Sequence, residues 1–170
     1  EFPRIDNWSA TLQGEGFNLA LVAPLIGITE LPAVPYQVNG ELKSDDEGVE
    51  LVNFVLAGNN SSLALSGVVG EAPGFEGTRL SVLLKADDMA RFGRTIGLVN
   101  LPPESFNLSA TLFRADENWQ IDDGLFTSDS LIIEINARAD TLIAASDFRA
   151  QSRIVSPDLA RTLKAYKLEV

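Results

Sequence analysis

The sequence predicts a mostly β protein: an antiparallel meander assembled from repeated units, with short helices where one unit meets the next. Apolar and polar residues alternate with period two through most of the 170-residue chain. Turn-forming residues interrupt these runs about every 8–12 residues, the rhythm of a meander. An offset of 70 residues superimposes the sequence on itself, which is the signature of a copied structural unit.

Taken in order, 36–43 (YQVNGELK) sets Tyr36, Val38, Gly40 and Leu42 against Gln37, Asn39, Glu41 and Lys43. Segment 106–113 (FNLSATLF) sets Phe106, Leu108, Ala110 and Leu112 against Asn107, Ser109, Thr111 and Phe113. Both patterns suit strands with one buried face. Segments 62–69, 79–86, 118–127, 130–139 and 148–155 continue the series, separated by turn chemistry at 45–48, 58–60, 72–74 and 128–129. Asp45-Asp46-Glu47 and Asp122-Asp123 read as charged turns rather than calcium ligands, because no EF-hand or glycine-rich nonapeptide spacing accompanies them.

Two segments break the period. Residues 18–27 and 88–97 each begin at an Asx residue and end at a glycine, as a helix of two to three turns does. Pro24 weakens the first. The offset of 70 takes Asn18 to Asp88 to Asp158, Leu19 to Met89 to Leu159, and Leu31-Pro32 to Leu101-Pro102. Units are therefore expected at about 8–77 and 78–147, with a partial third at 148–170, all one segment of a larger repeat protein. Asp87 and Asp88 form a carboxylate pair of the kind acid–base catalysis or cation binding uses. Their equivalence with Asp158 favours helix-start chemistry: Ser156 caps, Pro157 opens the helix and Asp158 sits in its first turn, with Asp88 in the same slot.

Composition removes whole function classes. With no His and no Cys, no Ser-His-Asp or Cys-His centre and no imidazole or thiolate metal site can be assembled. Gly14-Glu15-Gly16 lacks the third glycine and the Lys-Ser/Thr ending of a phosphate loop. The expectation is a non-enzyme with no cofactor. A net charge of −11 argues against nucleic acid as a partner. No apolar run is long enough to span a bilayer, so an anchor would lie outside these residues.

The helix opening Asp-Leu-Ala, the Leu-Pro loop, the strand that begins with an aromatic, and Gly-Asn-Asn-Ser-Ser-Leu-Ala-Leu-Ser-Gly at 58–67 together resemble the AsmA-like family of Gram-negative bacteria, over roughly residues 8–170. The resemblance implies a curled, open β-groove with an apolar concave side. It also implies a parent anchored in the inner membrane, a periplasmic location, adjoining repeats of the parent chain as neighbours, and passage of phospholipid toward the outer membrane.

The residues point toward the same question by another route. Several strands carry apolar residues on both faces: Val49, Leu51 and Val55 against Val52, Phe54 and Leu56, and Leu131, Ile133 and Ile135 against Ile132. About nine strands make a sheet roughly 40 Å wide, which two short helices cannot cover. The exposed apolar face meets either a second sheet, as in a periplasmic or extracellular β-sandwich module that binds protein or glycan, or phospholipid acyl chains. For the second case the expected lining is Leu12, Val38, Leu42, Leu51, Leu63, Leu65, Val82, Leu108, Leu112, Ile121, Ile133 and Ile135.

Overall fold

The computed structural model describes residues 7–21, 33–45, 48–58, 60–71, 74–95, 97–140 and 148–166. Nine strands follow one another: β1 (Ser9–Gly16), β2 (Tyr36–Asp45), β3 (Gly48–Gly58), β4 (Ser61–Val69), β5 (Arg79–Ala86), β6 (Phe106–Ala115), β7 (Asn118–Ser128), β8 (Ile132–Ala139) and β9 (Arg149–Val155). They form a single sheet in sequence order, each strand antiparallel to the next. β1 and β9 are its edges and do not pair with each other, so the sheet is an open meander.

A 3-10 turn at Leu19–Leu21 follows β1, helix α1 (Met89–Thr95) follows β5, and helix α2 (Leu159–Ala165) follows β9. All three therefore lie at one end of the strands, the helix end. The opposite, hairpin end carries the β2–β3 and β6–β7 connections and the longer β4–β5 loop. At the β6–β7 hairpin Asp116 and Glu117 both take positive φ (51° and 62°), the pairing a two-residue turn needs to match strand twist. In the β4–β5 loop the buried Thr78 hydroxyl accepts from Gly70 N at 2.9 Å and donates to the Phe75 carbonyl at 2.6 Å.

Helix α1 is shorter than its sequence pattern suggests. Of the expected helix at 18–27 only the first turn falls among the described residues, opened by Asn18, whose Oδ1 accepts from Ala20 N at 3.0 Å. The expected helix at 88–97 spans Met89–Thr95. The expectation that Asp158 and Asp88 sit inside the first turn is corrected. Each aspartate's carbonyl accepts the first intrahelical bond, from Thr162 N at 2.9 Å and Phe92 N at 3.0 Å, so both flank their helices and Pro157 lies outside α2. At Asp88 the reason is visible: Oδ1 accepts from Arg91 N at 2.8 Å, satisfying a helix-start amide that a first-turn position would leave open.

β3 carries apolar residues on both faces, as expected, but the expected division between the faces is corrected. Asn53 takes φ 49°, and one residue of each neighbouring strand opposes two of β3 at this point. The bulge advances the alternation by one residue. Val49, Leu51, Phe54 and Leu56 consequently share one face, and Glu50, Val52, Val55 and Ala57 share the other. β7 carries the same device at Asp123 (φ 51°), with register shifts at the corresponding pairs. Asp122-Asp123, expected in a turn, thus lies in mid-strand, where Asp123 N donates to Asn136 Oδ1 at 3.2 Å.

The core is small and lies at the helix end. Ala86, Met89 and Phe106 are buried, and Leu84, Phe92, Leu101, Leu108, Phe126 and Tyr166 pack around them. Phe106 stacks on Phe126 (5.6 Å between ring centroids) and meets Phe92 edge-on (5.4 Å), geometries that aromatic quadrupoles favour. A polar chain ties the helices to the sheet. Glu104 Oε2 accepts from Ser130 Oγ at 2.7 Å, Thr162 Oγ1 donates to the Ser130 carbonyl at 2.9 Å, and the Thr162 and Ser156 hydroxyls lie 2.7 Å apart.

Candidate ligand-binding face

Cross-strand neighbours in an antiparallel sheet share a face, so the register locates every expected lining residue. Leu12 opposes Gly40, Val38 opposes Leu56, and Leu42 opposes Leu51. Leu63 opposes Leu84, Leu65 opposes Val82, and Leu84 in turn opposes Leu108. Leu112 opposes Ile121, while Ile133 and Ile135 oppose Phe126 and Gly124. Followed strand to strand, with the two bulges restoring phase, all twelve fall on one face. Sequence reasoning omitted Phe54, Leu56, Leu80, Leu84 and Phe126 from that face. Plain alternation through Asn53 puts Phe54 and Leu56 on the wrong face, because the bulge there shifts the phase by one residue. The detectable signal was a turn-prone residue at mid-strand, Asn53, with another, Asp123, 70 positions on.

This face is apolar but sparsely covered. Leu12, on edge strand β1, is 38% exposed, and its eleven expected companions are half-buried rather than buried. The opposite face bears Gln37, Glu41 and Lys43 on β2, Arg79 and Lys85 on β5, and Glu134 and Arg138 on β8. Its ion pairs, Arg153–Glu134 at 3.3 Å and Arg138–Asp116 at 3.9 Å, are solvent-exposed.

At the helix end the apolar face is roofed. Between the β1–β2 connection and α1 lies a cleft of about 260 Å3, floored by Leu56, Leu63 and Leu84 and walled by Leu19, Tyr36, Phe92 and the Arg91 side chain. Its floor is continuous with the apolar face. Near it, burial pushes the Tyr166 phenol above its ordinary range, with the Glu104 carboxylate adding to the effect. Two exposed aromatics, Phe17 (94%) and Phe148 (59%), lie just outside strand ends rather than in the core.

The hairpin end has no roofing helix among the described residues. There Arg114 and Trp119 form a cross-strand pair in line with Leu112 and Ile121, and the guanidinium lies over the indole at 5.6 Å. Both tryptophans of the chain stand at this end, since the Trp8 carbonyl just before β1 accepts from Ser44 N at 2.8 Å.

The acid pair does not converge on a site. Asp88 caps α1, and Asp87 is exposed with its amide donating to the Asn60 carbonyl at 3.1 Å. Among the described residues no three carboxylates cluster closely enough to hold a metal ion. No described helix is long and apolar enough to cross a membrane. No family model, curated protein or solved structure matches this chain.

Proposed function

We propose that this chain is a segment of a repeat-built, curled and open β-groove of the AsmA-like kind. In this reading it binds acyl chains and conducts phospholipid across the periplasm between the inner and outer membranes of a Gram-negative bacterium, without catalysing a reaction. One observation carries the reading: a continuous apolar stripe runs from strand to strand across one face of an open sheet, and among the described residues helices roof that face at one end only. A contiguous apolar surface of this extent marks an interaction site, and long unbranched chains are the ligands that match a stripe without polar anchors along its length.

The repeat reading is supported by features that recur at the same spacing. The bulges at Asn53 and Asp123, and the helical starts at Leu19, Met89 and Leu159, fall 70 residues apart. β1, β5 and β9 are then equivalent strands, and the free edges of β1 and β9 are where adjoining units would pair. The alternative sandwich module requires a second sheet over the apolar face, and the described residues form one sheet. Organic extraction of purified protein, followed by mass spectrometry, tests the proposal. Co-purifying phospholipid supports it. A lipid-free protein that also takes up no added fluorescent phospholipid refutes it.

A further inference from the structure

Arg114 is an unusual cation. It projects from β6 onto the apolar face, its guanidinium rests on Trp119, and its Nη1 donates to a main-chain carbonyl, that of Asp140, at 3.1 Å. Among the described residues no carboxylate pairs with it, and its buried Nε–H has no acceptor. Acids outnumber bases 24 to 13, so a neutralising side chain would be easy to place. A buried N–H of a charged group without an acceptor is costly, and such a group in a native fold calls for an explanation. The other cation stacked on an aromatic ring, Arg79 over Phe113, lies on the opposite face.

The position of Arg114 supplies one. At the helix end the apolar face is closed by α1 and its aromatic cluster, whereas at the hairpin end it terminates in the Arg114–Trp119 pair. Strands β6 and β7, of 10 and 11 residues, span roughly 30 Å between these ends at about 3.3 Å per residue, close to the length of an extended amphiphile. Trp is suited to an apolar–polar boundary, and the planar guanidinium fork to a phosphate or carboxylate.

We infer that Arg114 and Trp119 form the head-group subsite of the apolar face, so that an amphiphile with an anionic phosphate binds with its head at the hairpin end and its chain directed toward α1. This inference rests on the acyl-chain reading above and adds to it a charge preference and a direction. The Arg114 guanidinium then donates to a phosphoryl oxygen, and the indole packs against the first carbons of the chain.

The test titrates the Trp8→Phe protein, whose only indole is Trp119, with dodecyl phosphate, dodecyl maltoside and inorganic phosphate, each below micelle formation, following indole fluorescence. Dodecyl phosphate is expected to bind about tenfold tighter than the maltoside, the worth of a charge-assisted hydrogen bond. Arg114→Gln should bring that ratio close to one while leaving maltoside affinity within about twofold, Arg114→Lys should keep part of it, and Arg79→Gln should keep it whole. Inorganic phosphate should not compete. A ratio unchanged in Arg114→Gln, or lost equally in Arg79→Gln, overturns the assignment. Competition by inorganic phosphate as strong as by dodecyl phosphate replaces it with a free-anion site. Failure of both amphiphiles to bind, in protein that melts cooperatively, overturns the acyl-chain reading itself.

Discussion

The strand pairs β2–β3 and β6–β7 occupy the same place in the meander, 70 residues apart, and reach the same backbone geometry with different side chains. Each has a bulge with a left-handed residue, Asn53 in one and Asp123 in the other, and Asn and Asp tolerate that conformation better than other side chains. Around the bulge the volumes differ. Gly40 lies against Phe54, so close that a Cβ on residue 40 would stand 2.8 Å from the Phe54 Cα and 3.1 Å from its ring. In the second pair the matching positions are Ala110 and Gly124, and a Cβ on residue 124 would stand 2.6 Å from the Ile135 carbonyl oxygen. At the strand start, Tyr36 borders an open cleft while its counterpart Phe106 is the centre of a packed aromatic cluster. What the two pairs share is the phase of alternation. Side-chain volume is exchanged locally as long as that phase keeps the apolar stripe continuous from strand to strand.

The sharpest contrast lies between Phe106 and Tyr36. Phe106→Ala removes a ring that is 5% exposed and opens a cavity beneath α1, so it should cost about 3–5 kcal/mol. Tyr36→Ala at the half-exposed counterpart should cost less than half as much by the same scale. Chemical denaturation of the two variants reads this directly. Equal losses would mean that the two helix ends are packed alike.

Next in size is the Gly40–Phe54 contact. Gly40→Ala should destabilise by about 1–3 kcal/mol through overpacking, and Phe54→Ala in the same chain should recover part of that loss. The matching change, Ala110→Gly, should cost about 1 kcal/mol or less, as a small strand residue gives up β propensity alone. A Gly40→Ala variant as stable as wild type would show that the two pairs do not trade volume at this point.

The helix starts give a smaller effect. Asp88→Ala removes the acceptor for Arg91 N and should cost about 1 kcal/mol, whereas Asp87→Ala should remain within about 0.5 kcal/mol of wild type. Thermal melts with and without calcium separate capping from cation binding, because a capping aspartate predicts no calcium-dependent shift. A stabilisation by calcium that vanished only with Asp87 and Asp88 would refute the capping account.

The smallest effect is expected at high pH. Burial favours the neutral Tyr166 phenol in the folded protein, so its folded pKa lies above the unfolded value near 10. The associated stability is complete below about pH 10 and is lost as pH rises through the folded pKa, since the unfolded chain releases the proton first. Tyr166→Phe should therefore flatten the alkaline fall in melting temperature, and an unchanged pH profile would argue against the packing of α2 on Met89.

Much of this architecture is legible in the residues, and the misreadings have identifiable physical causes. Unbroken alternation at 62–69, 79–86 and 106–113 gives the correct faces because no bulge interrupts those strands. Alternation fails in β3 because a single left-handed residue inverts the face of everything beyond it. Asp122-Asp123 resembles a turn because the residues that permit positive φ in a bulge are those that make turns. Taking glycine as the stop overextends the second expected helix, because α1 ends two residues before Gly97 and places Gly93 against Leu101. The Arg114–Trp119 pair has no motif to announce it. It arises from the hairpin register, which only the fold supplies.

The claim that the apolar face takes acyl chains is most directly tested by charging one face at a time. Leu65 and Val82 form a cross-strand pair at the centre of the apolar face, and neighbouring Leu83 points to the other side. Uptake of a fluorescent phospholipid from vesicles should fall at least about tenfold when Leu65 or Val82 is replaced by Asp, from the cost of setting a carboxylate against an acyl chain. Leu83→Asp, matched for folding by circular dichroism, should take up lipid like the wild type. Uptake that is absent from the wild type, or is reduced equally by Leu83→Asp and Val82→Asp, would contradict the account.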